Sequence, residues 1–449
     1  MALFFFAVLA TSFLTLPELT SGRSPEVGEV GDEVTVTGHL YLVDPVTGSR
    51  ESFSRRQLGE AAGATHDLRL ELRSEGTTFD LSLEQGSVWT PESRVVVRTT
   101  AGGEEEEDIL EEVPVTVRAS CYLSGEVTSH QDAYASLSVC DGLSGVIHTR
   151  EASYVIDDDS GEDERSPAER DEEGFEGEGR KLSVRIVYPR AEQVDLSYWN
   201  YQREMESLEV EEENYFPEVV EDKDDVTGDA DTVSRRQAMQ KGTVEVGVFC
   251  DKNFVNYMNR IGKNSLQKVT DYMIVKWNIV RRVYANKQQV GSDFTVLLKY
   301  VELWKTNPRY YAPIQNSQKM GAHLSAFCKN HRSMNTLDHK MLYTHGVGGG
   351  VMGLAYVGGV CQTYTKCSLV KINIRDIHYS RIDMHELGHN LGFKHQNQVK
   401  GCGAKFGFMS GARSYFFTPC YKPVLRATIA NRRCLKQNNV ARPVLNTGK

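Results

Sequence analysis

The chain has 449 residues, of which 40% are hydrophobic and 25% are charged. This length allows roughly two to three domains of ordinary size, and the composition excludes collagen-like, wholly disordered and polytopic membrane proteins. The net charge of −10 is divided very unevenly along the chain. Residues 1–236 carry 20 basic and 52 acidic residues, a net charge of −32, whereas residues 237–449 carry 31 basic and 9 acidic residues, a net charge of +22.

The N-terminus begins with an apolar run over residues 1–16, followed by small residues at 20–22. The run is too short and too close to the terminus to cross a membrane, so we interpret residues 1–22 as a secretory signal peptide. A buried N-terminal helix is the alternative. With no second long apolar run in the sequence, we expect a secreted, extracellular protein without a membrane span.

Residues 23–155 contain alternating apolar and polar runs at 33–43, 79–84 and 94–99, which predict a β-rich domain. Two acidic stretches, about 156–180 and 205–232, are too poor in apolar residues to form a core and predict mobile linkers. The dibasic pair Arg235-Arg236 lies where the charge changes sign. This organisation indicates an acidic propeptide over 23–236 and a basic domain over 237–449. An ordinary two-domain protein with unequal surfaces is the alternative.

The basic half alternates between two periodicities. Strand-like runs occur at 244–249, 294–304, 353–360 and 368–374, and helical apolar spacing occurs at 265–286, 317–330 and 381–391. We therefore predict an α/β fold for residues 237–449.

The segment HELGHNLGFKH carries the chemistry. On a helix, His385 and His389 lie one turn apart and project from one face. Gly392 can adopt positive φ and turn the chain back, so that His395 supplies a third nitrogen. Three imidazoles and one open position suit a catalytic zinc ion, and Glu386 is placed to act as the general base. Histidines grouped by chance are the alternative.

Met409 follows His395 by 14 residues. We expect its thioether to pack beneath the ligand rings without binding the metal. An ordinary core methionine is the alternative.

These motifs resemble those of a known family. The histidine segment with Met409 resembles the metzincin zinc proteases, and DHKMLYT (338–344) and GLAYVGGVC (353–361) are similar to the adamalysin or reprolysin family, which includes ADAM and ADAMTS proteases and snake-venom metalloproteinases. The resemblance covers about 242–437, and SCYLSGEV (120–127) and SLSVCDGLSGVI (136–147) resemble reprolysin prodomains. It implies a five-stranded mixed sheet, zinc endopeptidase activity, and an edge strand near 353–360 that aligns extended substrate.

Three departures from the family pattern stand out. Gln396 follows the third histidine where the family usually has aspartate, and Gly411 stands where proline is common. No cysteine lies between Cys140 and Cys250, whereas many reprolysin prodomains carry a late cysteine that caps the zinc. We therefore expect latency without a thiol, based on steric cover and on the attraction between the acidic propeptide and the basic domain.

Nine cysteines in a secreted chain predict disulfides with one thiol left over. Cys121 and Cys140 lie alone in the N-terminal half and are expected to pair, and Cys250 is expected to be a buried, inert thiol. Six cysteines permit 15 pairings, and the residues do not choose among them. The resemblance implies the bonds Cys328–Cys367, Cys361–Cys434 and Cys402–Cys420.

The resemblance also implies a structural calcium ion, held by Glu245, Asp338, the Cys434 backbone and Gln437. Oxygen donors are the ligands that calcium prefers. Two unrelated surface carboxylates are the alternative.

Together these features predict a secreted zinc-dependent endopeptidase that hydrolyses extracellular proteins and is made as a zymogen. The alternative is a cationic protein that binds polyanions or receptors on a protease scaffold. We expect a strongly basic secreted domain to attract glycosaminoglycans rather than nucleic acid. The alternative is that its charge only complements the acidic propeptide and keeps the enzyme soluble. Its basic residues form two clusters, Lys263, Lys268, Lys276, Arg281, Arg282 and Lys287, and Arg426, Arg432, Arg433 and Lys436.

Overall fold

The computed structural model describes residues 33–44, 46–52, 67–74, 77–100, 108–140, 143–149, 152–158, 183–189, 239–311, 320–345, 352–372, 380–402, 407–410 and 415–436. The predicted signal peptide, the second acidic stretch, the dibasic pair and Gln437 lie outside these ranges, as does the first acidic stretch beyond residue 158. Residues 156–158, which we expected to begin that linker, instead end a β-strand.

Sixteen strands are described. They are β1 (Glu33–Val43), β2 (Arg50–Ser52), β3 (Asp67–Ser74), β4 (Thr77–Gln85), β5 (Trp89–Thr100), β6 (Asp108–Val113), β7 (Tyr122–Val127), β8 (Tyr134–Ser138), β9 (Ser144–His148), β10 (Ser153–Asp158), β11 (Ser183–Pro189), β12 (Lys241–Cys250), β13 (Asp293–Trp304), β14 (His339–His345), β15 (Gly353–Ala355) and β16 (Cys367–Ile372). The α-helices are α1 (Lys252–Arg260), α2 (Leu266–Ala285), α3 (Lys287–Val290), α4 (Met320–Asn330), α5 (Arg381–Asn390) and α6 (Lys422–Asn431).

The first sheet is built from the N-terminal half and is antiparallel throughout. Its order is β11-β10-β9-β8-β7-β4-β3-β1-β2, and an additional pairing of β11 with β1 closes it on itself. Closure leaves β2 as an extra strand beside β1. Alternate residues of the strands, such as Leu70, Leu81, Leu123 and Leu137, form a core of their own inside this sheet. We call it the closed sheet.

The second sheet is mixed and has the order β15-β16-β14-β12-β13-β5-β6. Its central strands β16, β14, β12 and β13 run parallel, whereas β15 pairs antiparallel with β16 at one edge. The expected α/β fold of the C-terminal half is confirmed. The C-terminal half contributes five strands to this sheet. The sheet is not five-stranded as expected, because β5 and β6 of the N-terminal half extend it to seven strands.

Helix α2 is the long helix predicted over 265–286. Ser265 caps its N-terminus by accepting a hydrogen bond from the backbone amide of Lys268, at 3.1 Å. Fourteen of its residues are buried, so apolar side chains cover most of its circumference. One side of α2 packs on β13 and another on the closed sheet, through β7, β8 and β9. A helix buried on two sides in this way joins the halves of the molecule into one core.

No helix in the described part of the chain is both long and apolar enough to cross a membrane.

Candidate metal centre

The predicted histidine segment forms helix α5 and the turn that follows it. All ten residues of α5 are buried. The helix ends in a Schellman motif, in which the amide of Gly392 donates to the carbonyl of His389 and the amide of Phe393 donates to that of Gly388. Gly392 has φ +101°, the left-handed conformation expected for it. This turn directs the chain back towards the helix, so that His395 faces its first two histidines.

The three histidine side chains converge on one point. Their Nε2 atoms lie 3.0 Å apart for His385 and His389, 3.1 Å for His389 and His395, and 3.2 Å for His385 and His395. The Nδ1 atom of His385 lies 2.7 Å from the carbonyl oxygen of Phe408, and that of His389 lies 2.7 Å from the carbonyl oxygen of Phe393. A carbonyl oxygen can only accept, so each Nδ1 carries the proton and each Nε2 presents a lone pair.

Burial, together with the nearby ring of His395, lowers the pKa of the His389 ring to about 3. It also lowers the pKa of His385 well below its usual range, with the two other imidazoles adding to the effect. The two rings are therefore neutral at physiological pH, as metal binding requires.

This nitrogen cluster fits a zinc ion. Bare lone pairs at such short range repel one another unless a cation lies between them. In tetrahedral coordination with zinc–nitrogen bonds of about 2.0–2.1 Å, ligand nitrogens lie about 3.3 Å apart, close to the spacing observed here. The second-sphere carbonyls hold both helical rings in the tautomer that zinc requires.

Glu386 is the acidic residue of this site. Its side chain is completely buried, and neither carboxylate oxygen has a hydrogen-bond partner among the described residues. Burial raises the pKa of Glu386 well above its usual range, and the nearby carboxylate of Asp383 adds to the increase. Burying a carboxyl group without a partner costs folding free energy unless a cation, a water molecule or a substrate compensates it. A raised pKa of this kind is typical of a carboxylate that accepts a proton during a reaction.

Gly353, in edge strand β15, makes room for this carboxylate. A methyl group built at Gly353 would overlap Oε1 and Cδ of Glu386. The strand backbone therefore passes directly over the Glu386 carboxyl group, and only a glycine leaves room for this approach.

Met409 is fully buried and lies against the zinc-binding helix. A methyl group built at Gly388 would lie 2.6 Å from its sulfur atom. The carbonyl oxygen of Met409 accepts a hydrogen bond from the amide of Gln396, at 3.1 Å. Gln396, which replaces the usual aspartate of the family, thus ties the segment after the third histidine to the methionine through its backbone.

Both ends of helix α5 are anchored by buried polar contacts. Near its start, Asp383 forms an ion pair with Lys276 of α2 at 2.7 Å and accepts a hydrogen bond from the hydroxyl of Tyr343 at 2.6 Å. At its end, the carbonyl oxygen of the Asn390 side chain lies 2.9 Å from Nδ1 of His339 in β14, and the Asn390 amide group donates to the carbonyl of Thr365 at 2.8 Å. These contacts fix the helix against the sheet and so fix two of the three imidazoles.

The structure contains the disulfides Cys328–Cys367, Cys361–Cys434 and Cys402–Cys420, the pairs implied by the family resemblance. Cys361–Cys434 joins the loop after β15 to the C-terminal segment. Cys250 is a buried free thiol whose pKa is raised by burial, as expected for an inert cysteine.

The expected bond between Cys121 and Cys140 is absent, and both residues are free thiols. Burial raises the pKa of the Cys140 thiol to about 12, and a hydrogen bond with Cys121 contributes. The two thiols lie beside each other where β7 and β8 pair at Tyr122 and Ser138, so the predicted pair is close in space although no bond joins it.

Two of the predicted calcium ligands lie together. The amide of Glu245 donates to Oδ2 of Asp338 at 2.9 Å, and both side chains are buried. The other oxygen of Asp338, Oδ1, has no hydrogen-bond partner among the described residues. Burial raises the pKa of Asp338 to about 7, an increase to which the Glu245 carboxylate adds. Sulfur atoms of Cys361 and Cys434 lie near this carboxylate but are bonded to each other, so they are not thiolate ligands.

Sequence reasoning missed several residues that shape the site. The carbonyls of Phe393 and Phe408 act through the backbone and leave no signal in side-chain identity. Gly353 did carry a signal, because a glycine inside a strand often marks a close approach. Lys276 carried another, since a lysine at a core-facing position of an apolar helix requires a buried acidic partner.

Comparisons with known proteins agree with this geometry. A family model described as Reprolysin (M12B) family zinc metalloprotease matches residues 241–433. "A disintegrin and metalloproteinase with thrombospondin motifs adt-1" of Caenorhabditis elegans is 24% identical over 374 residues, covering 75% of this chain and 24% of that protein. "A disintegrin and metalloproteinase with thrombospondin motifs 14" of Homo sapiens is 26% identical over 320 residues, covering 70% of this chain and 24% of that protein.

The chain thus spans about a quarter of the length of these curated relatives. A solved structure titled "Structure of a chaperone-substrate complex" aligns with 40% of this chain and 29% of that chain, at 17% identity and a TM-score of 0.30, which is too distant to inform the fold. The family match coincides with the part of the chain that holds the three histidines and the glutamate. Residues 241–433 therefore belong to the reprolysin (M12B) family of zinc metalloproteases.

Proposed function

We propose that the chain is a secreted zinc-dependent endopeptidase that hydrolyses peptide bonds of extracellular proteins. The observation that carries the proposal is the convergence of three imidazoles beside a buried carboxylate that has no hydrogen-bond partner among the described residues. His385, His389 and His395 would hold the zinc ion, and Glu386 would act as the general base.

When bound, zinc supplies Lewis acidity, which activates a water molecule and polarises the scissile carbonyl. Glu386 takes the proton of the attacking water on a carboxylate oxygen and returns it to the leaving amine. Burial raises the pKa of Glu386, which makes its carboxylate a stronger proton acceptor. The carbonyls of Phe408 and Phe393 keep His385 and His389 fixed while the proton moves.

The substrate would lie along β15. This strand forms an outer edge of the mixed sheet, and its backbone passes the Glu386 carboxylate at Gly353. An edge strand offers unpaired amides and carbonyls, which an extended peptide can pair with by strand addition. A peptide held there presents its backbone carbonyl to the metal centre, so the proposed substrates are extended segments of protein rather than folded helices.

Zinc dependence is tested on the purified chain after proteolytic activation, by metal analysis and by cleavage of an unfolded protein substrate. We expect one zinc per chain at the histidine site, loss of cleavage on treatment with a chelator, and recovery on addition of zinc. His385→Ala and His395→Ala should lose both the zinc and the activity. Full activity in a variant that has lost this zinc would overturn the assignment.

The zymogen part of the proposal rests on the order of the two halves and on the dibasic pair between them. The acidic half precedes the catalytic half, as a propeptide does, and Arg235-Arg236 offers a basic cleavage site at the boundary. Since the nine cysteines supply none between Cys140 and Cys250, latency would not depend on a zinc-capping thiol from that segment. We propose that the N-terminal half is the partner of the catalytic domain before activation.

A calcium ion would bind between Glu245 and Asp338, if the unpaired oxygen of Asp338 is its ligand. Burial and the nearby Glu245 carboxylate raise the pKa of Asp338, and a divalent cation bound there would offset both effects. The bonded Cys434 brings the C-terminal segment next to them. The proposed role of this ion is structural.

Binding of polyanions such as glycosaminoglycans is a second candidate function. Ion pairs within the protein restrict which basic residues are available for it. Much of the first basic cluster is already engaged: Lys276 pairs with Asp383, Arg282 with Glu84, and Lys287 with Asp293. In the second cluster, Arg426, Arg432 and Lys436 donate to backbone carbonyls. Hydrogen bonds to carbonyl oxygens do not neutralise the positive charges of these three side chains. Polyanion binding would therefore use the second cluster.

A further inference from the structure

The N-terminal half contributes directly to the sheet of the catalytic half. Strand β5 pairs in parallel with β13, in register from Tyr300 opposite Arg94 to Trp304 opposite Arg98. Strand β6 then pairs with β5 and forms the new edge. Beyond the strands, the hydroxyl of Ser93 donates to the carbonyl of Leu298 at 2.7 Å. Without β5, the whole length of β13 would be an open edge, which proteins normally cover.

A buried charge in the catalytic half finds its counter-charge in the N-terminal half. Glu302 in β13 is 1% exposed and accepts hydrogen bonds from Tyr300 and Trp304 of its own half. Its neutralising partner is Arg98 of β5, whose Nε lies 2.8 Å from Oε1. Arg98 also bonds Asp108 of β6 at 2.8 Å. Removing Arg98 would leave an uncompensated buried carboxylate, which is strongly unfavourable.

Helix α2 provides a second attachment surface. Residues of β7 to β9 alternate, so that Leu123 and Ile147 face the closed sheet's own core while Tyr122, Tyr134 and Val146 join the core around α2. Polar groups of α2 are satisfied across the same surface. The hydroxyl of Tyr122 donates to Asp271, and the amide of Val88 donates to the side-chain oxygen of Asn278 at 2.7 Å.

These attachments lie away from the site that the catalytic chemistry uses. The strand over Glu386 is β15, and the N-terminal strands begin at β5, five strand spacings along the sheet. At about 4.8 Å per spacing, β15 and β5 lie about 24 Å apart along the sheet. The closed sheet also reaches the segment after Met409, where the ring of His148 stacks on Tyr415 with 4.4 Å between centroids. Strands β5 and β6 thus support the catalytic half from the sheet edge opposite β15, and the closed sheet contacts it at α2 and at Tyr415.

We propose that the N-terminal half, residues 33–158 with β11, is a permanent structural component of the protease. Cleavage of the chain between β11 and β12, at Arg235-Arg236 or nearby, leaves it bound through β5 and through the closed sheet's contact with α2. The mature enzyme is then a complex of two fragments rather than a released catalytic domain. The inference concerns the contact between the halves and does not rest on the catalytic assignment.

The test uses the full chain carrying Glu386→Gln, which prevents self-cleavage, with the recognition sequence of a site-specific protease placed at residues 234–236. After complete cleavage, the product is analysed by size-exclusion chromatography with light scattering in 0.15 M and in 1 M NaCl. We expect one species of the combined mass at both salt concentrations, because strand pairing and apolar burial resist salt. Separation at 0.15 M, or separation at 1 M alone, would overturn the proposal; the second result would assign the attraction to screened charge.

A pair of variants tests the proposed anchor. Arg98→Met should raise the rate at which the cleaved fragments dissociate by ~100-fold or more, because it leaves the buried Glu302 carboxylate without a counter-charge. The matched control is Arg94→Met in the same strand, because Arg94 pairs with Glu112 of its own half. The control should dissociate at nearly the unaltered rate. Equal rates for the two variants would contradict the role given to the Arg98–Glu302 pair.

Discussion

Gly353 shows how one residue type sets the geometry of the proposed general base. Its missing side chain is what allows β15 to pass the carboxylate of Glu386. We predict that Gly353→Ala lowers kcat/KM by about 10- to 100-fold, because the new methyl group displaces either the carboxylate or the strand and catalytic groups tolerate little misplacement. The measurement is the initial rate of peptide cleavage at equal zinc content.

Gly321→Ala is the matched control for that prediction. It lies in helix α4, and its added methyl group would meet nothing nearer than Leu354, at 4.0 Å. Alanine also favours helix over glycine by about 1 kcal/mol, so this variant should keep its activity and its stability. If both variants are equally active, then Gly353 does not position the base.

The proposed ligands and the proposed base could be predicted from the sequence because each role demands a particular side chain at a particular spacing. His385, His389 and Glu386 are fixed by helical periodicity, and His395 by the glycine that ends the helix. Carbonyl groups such as that of Phe408 are not readable in this way, since every residue has one.

At the scale of elements, the contact between β14 and the end of helix α5 links stability to pH. His339 is enclosed between Asn390 and the hydroxyl of Ser368, which lies 2.9 Å from Nε2. Burial lowers the pKa of His339 from 6.5 to about 4. Above pH 6.5 the ring is neutral in the folded and unfolded chain, and its contribution to stability is complete. As the pH falls from 6.5 to 4, the unfolded chain takes up a proton that the folded chain excludes, so stability falls.

We therefore predict that wild-type protein loses up to about 3 kcal/mol of unfolding free energy from this group between pH 7 and pH 4, and that His339→Gln does not. The check is urea denaturation of both proteins at several pH values, with the difference between them plotted against pH. A difference that stays constant over this range would contradict the assigned pKa.

The contact between Glu245 of β12 and Asp338, the residue before β14, leads to a prediction about calcium. If a calcium ion binds there, millimolar calcium should raise the melting temperature by several degrees, because the ion binds the folded state alone. Asp338→Asn should abolish that increase. A melting temperature unmoved by calcium in the wild-type protein would remove this site from the account.

Long elements with clear periodicity were predicted well, and short or fully buried ones were not. Helix α2 was expected over 265–286 and is observed as Leu266–Ala285. Strand β15 was expected over 353–360 but ends at Ala355, where the chain enters turns. Helix α1 and strand β14 were not predicted. Strand β14 has buried lysine, histidine and threonine among its residues, which conceals it from an apolar-run criterion.

At the scale of the whole molecule, the opposite charges of the two halves suggested attraction through the surface. The structure instead joins them by sheet extension, by a shared core and by buried ion pairs. A sequence cannot easily reveal this, because β5 reads as an ordinary strand of its own domain. Which strand it pairs with depends on contacts about 200 residues away in the chain, such as that of Ser93 with Leu298.

The central claim is that Glu386 and the three histidines form the active site of a zinc endopeptidase, and Glu386→Gln tests it most directly. Glutamine keeps the shape of the side chain but cannot accept the proton of the attacking water. The measurement is the rate of peptide-bond cleavage by wild-type and Glu386→Gln full-length protein, each activated identically and each shown to contain zinc. We predict that the variant retains its zinc and cleaves at least ~100- to 10,000-fold more slowly. Cleavage at the wild-type rate by the zinc-loaded variant would contradict the account.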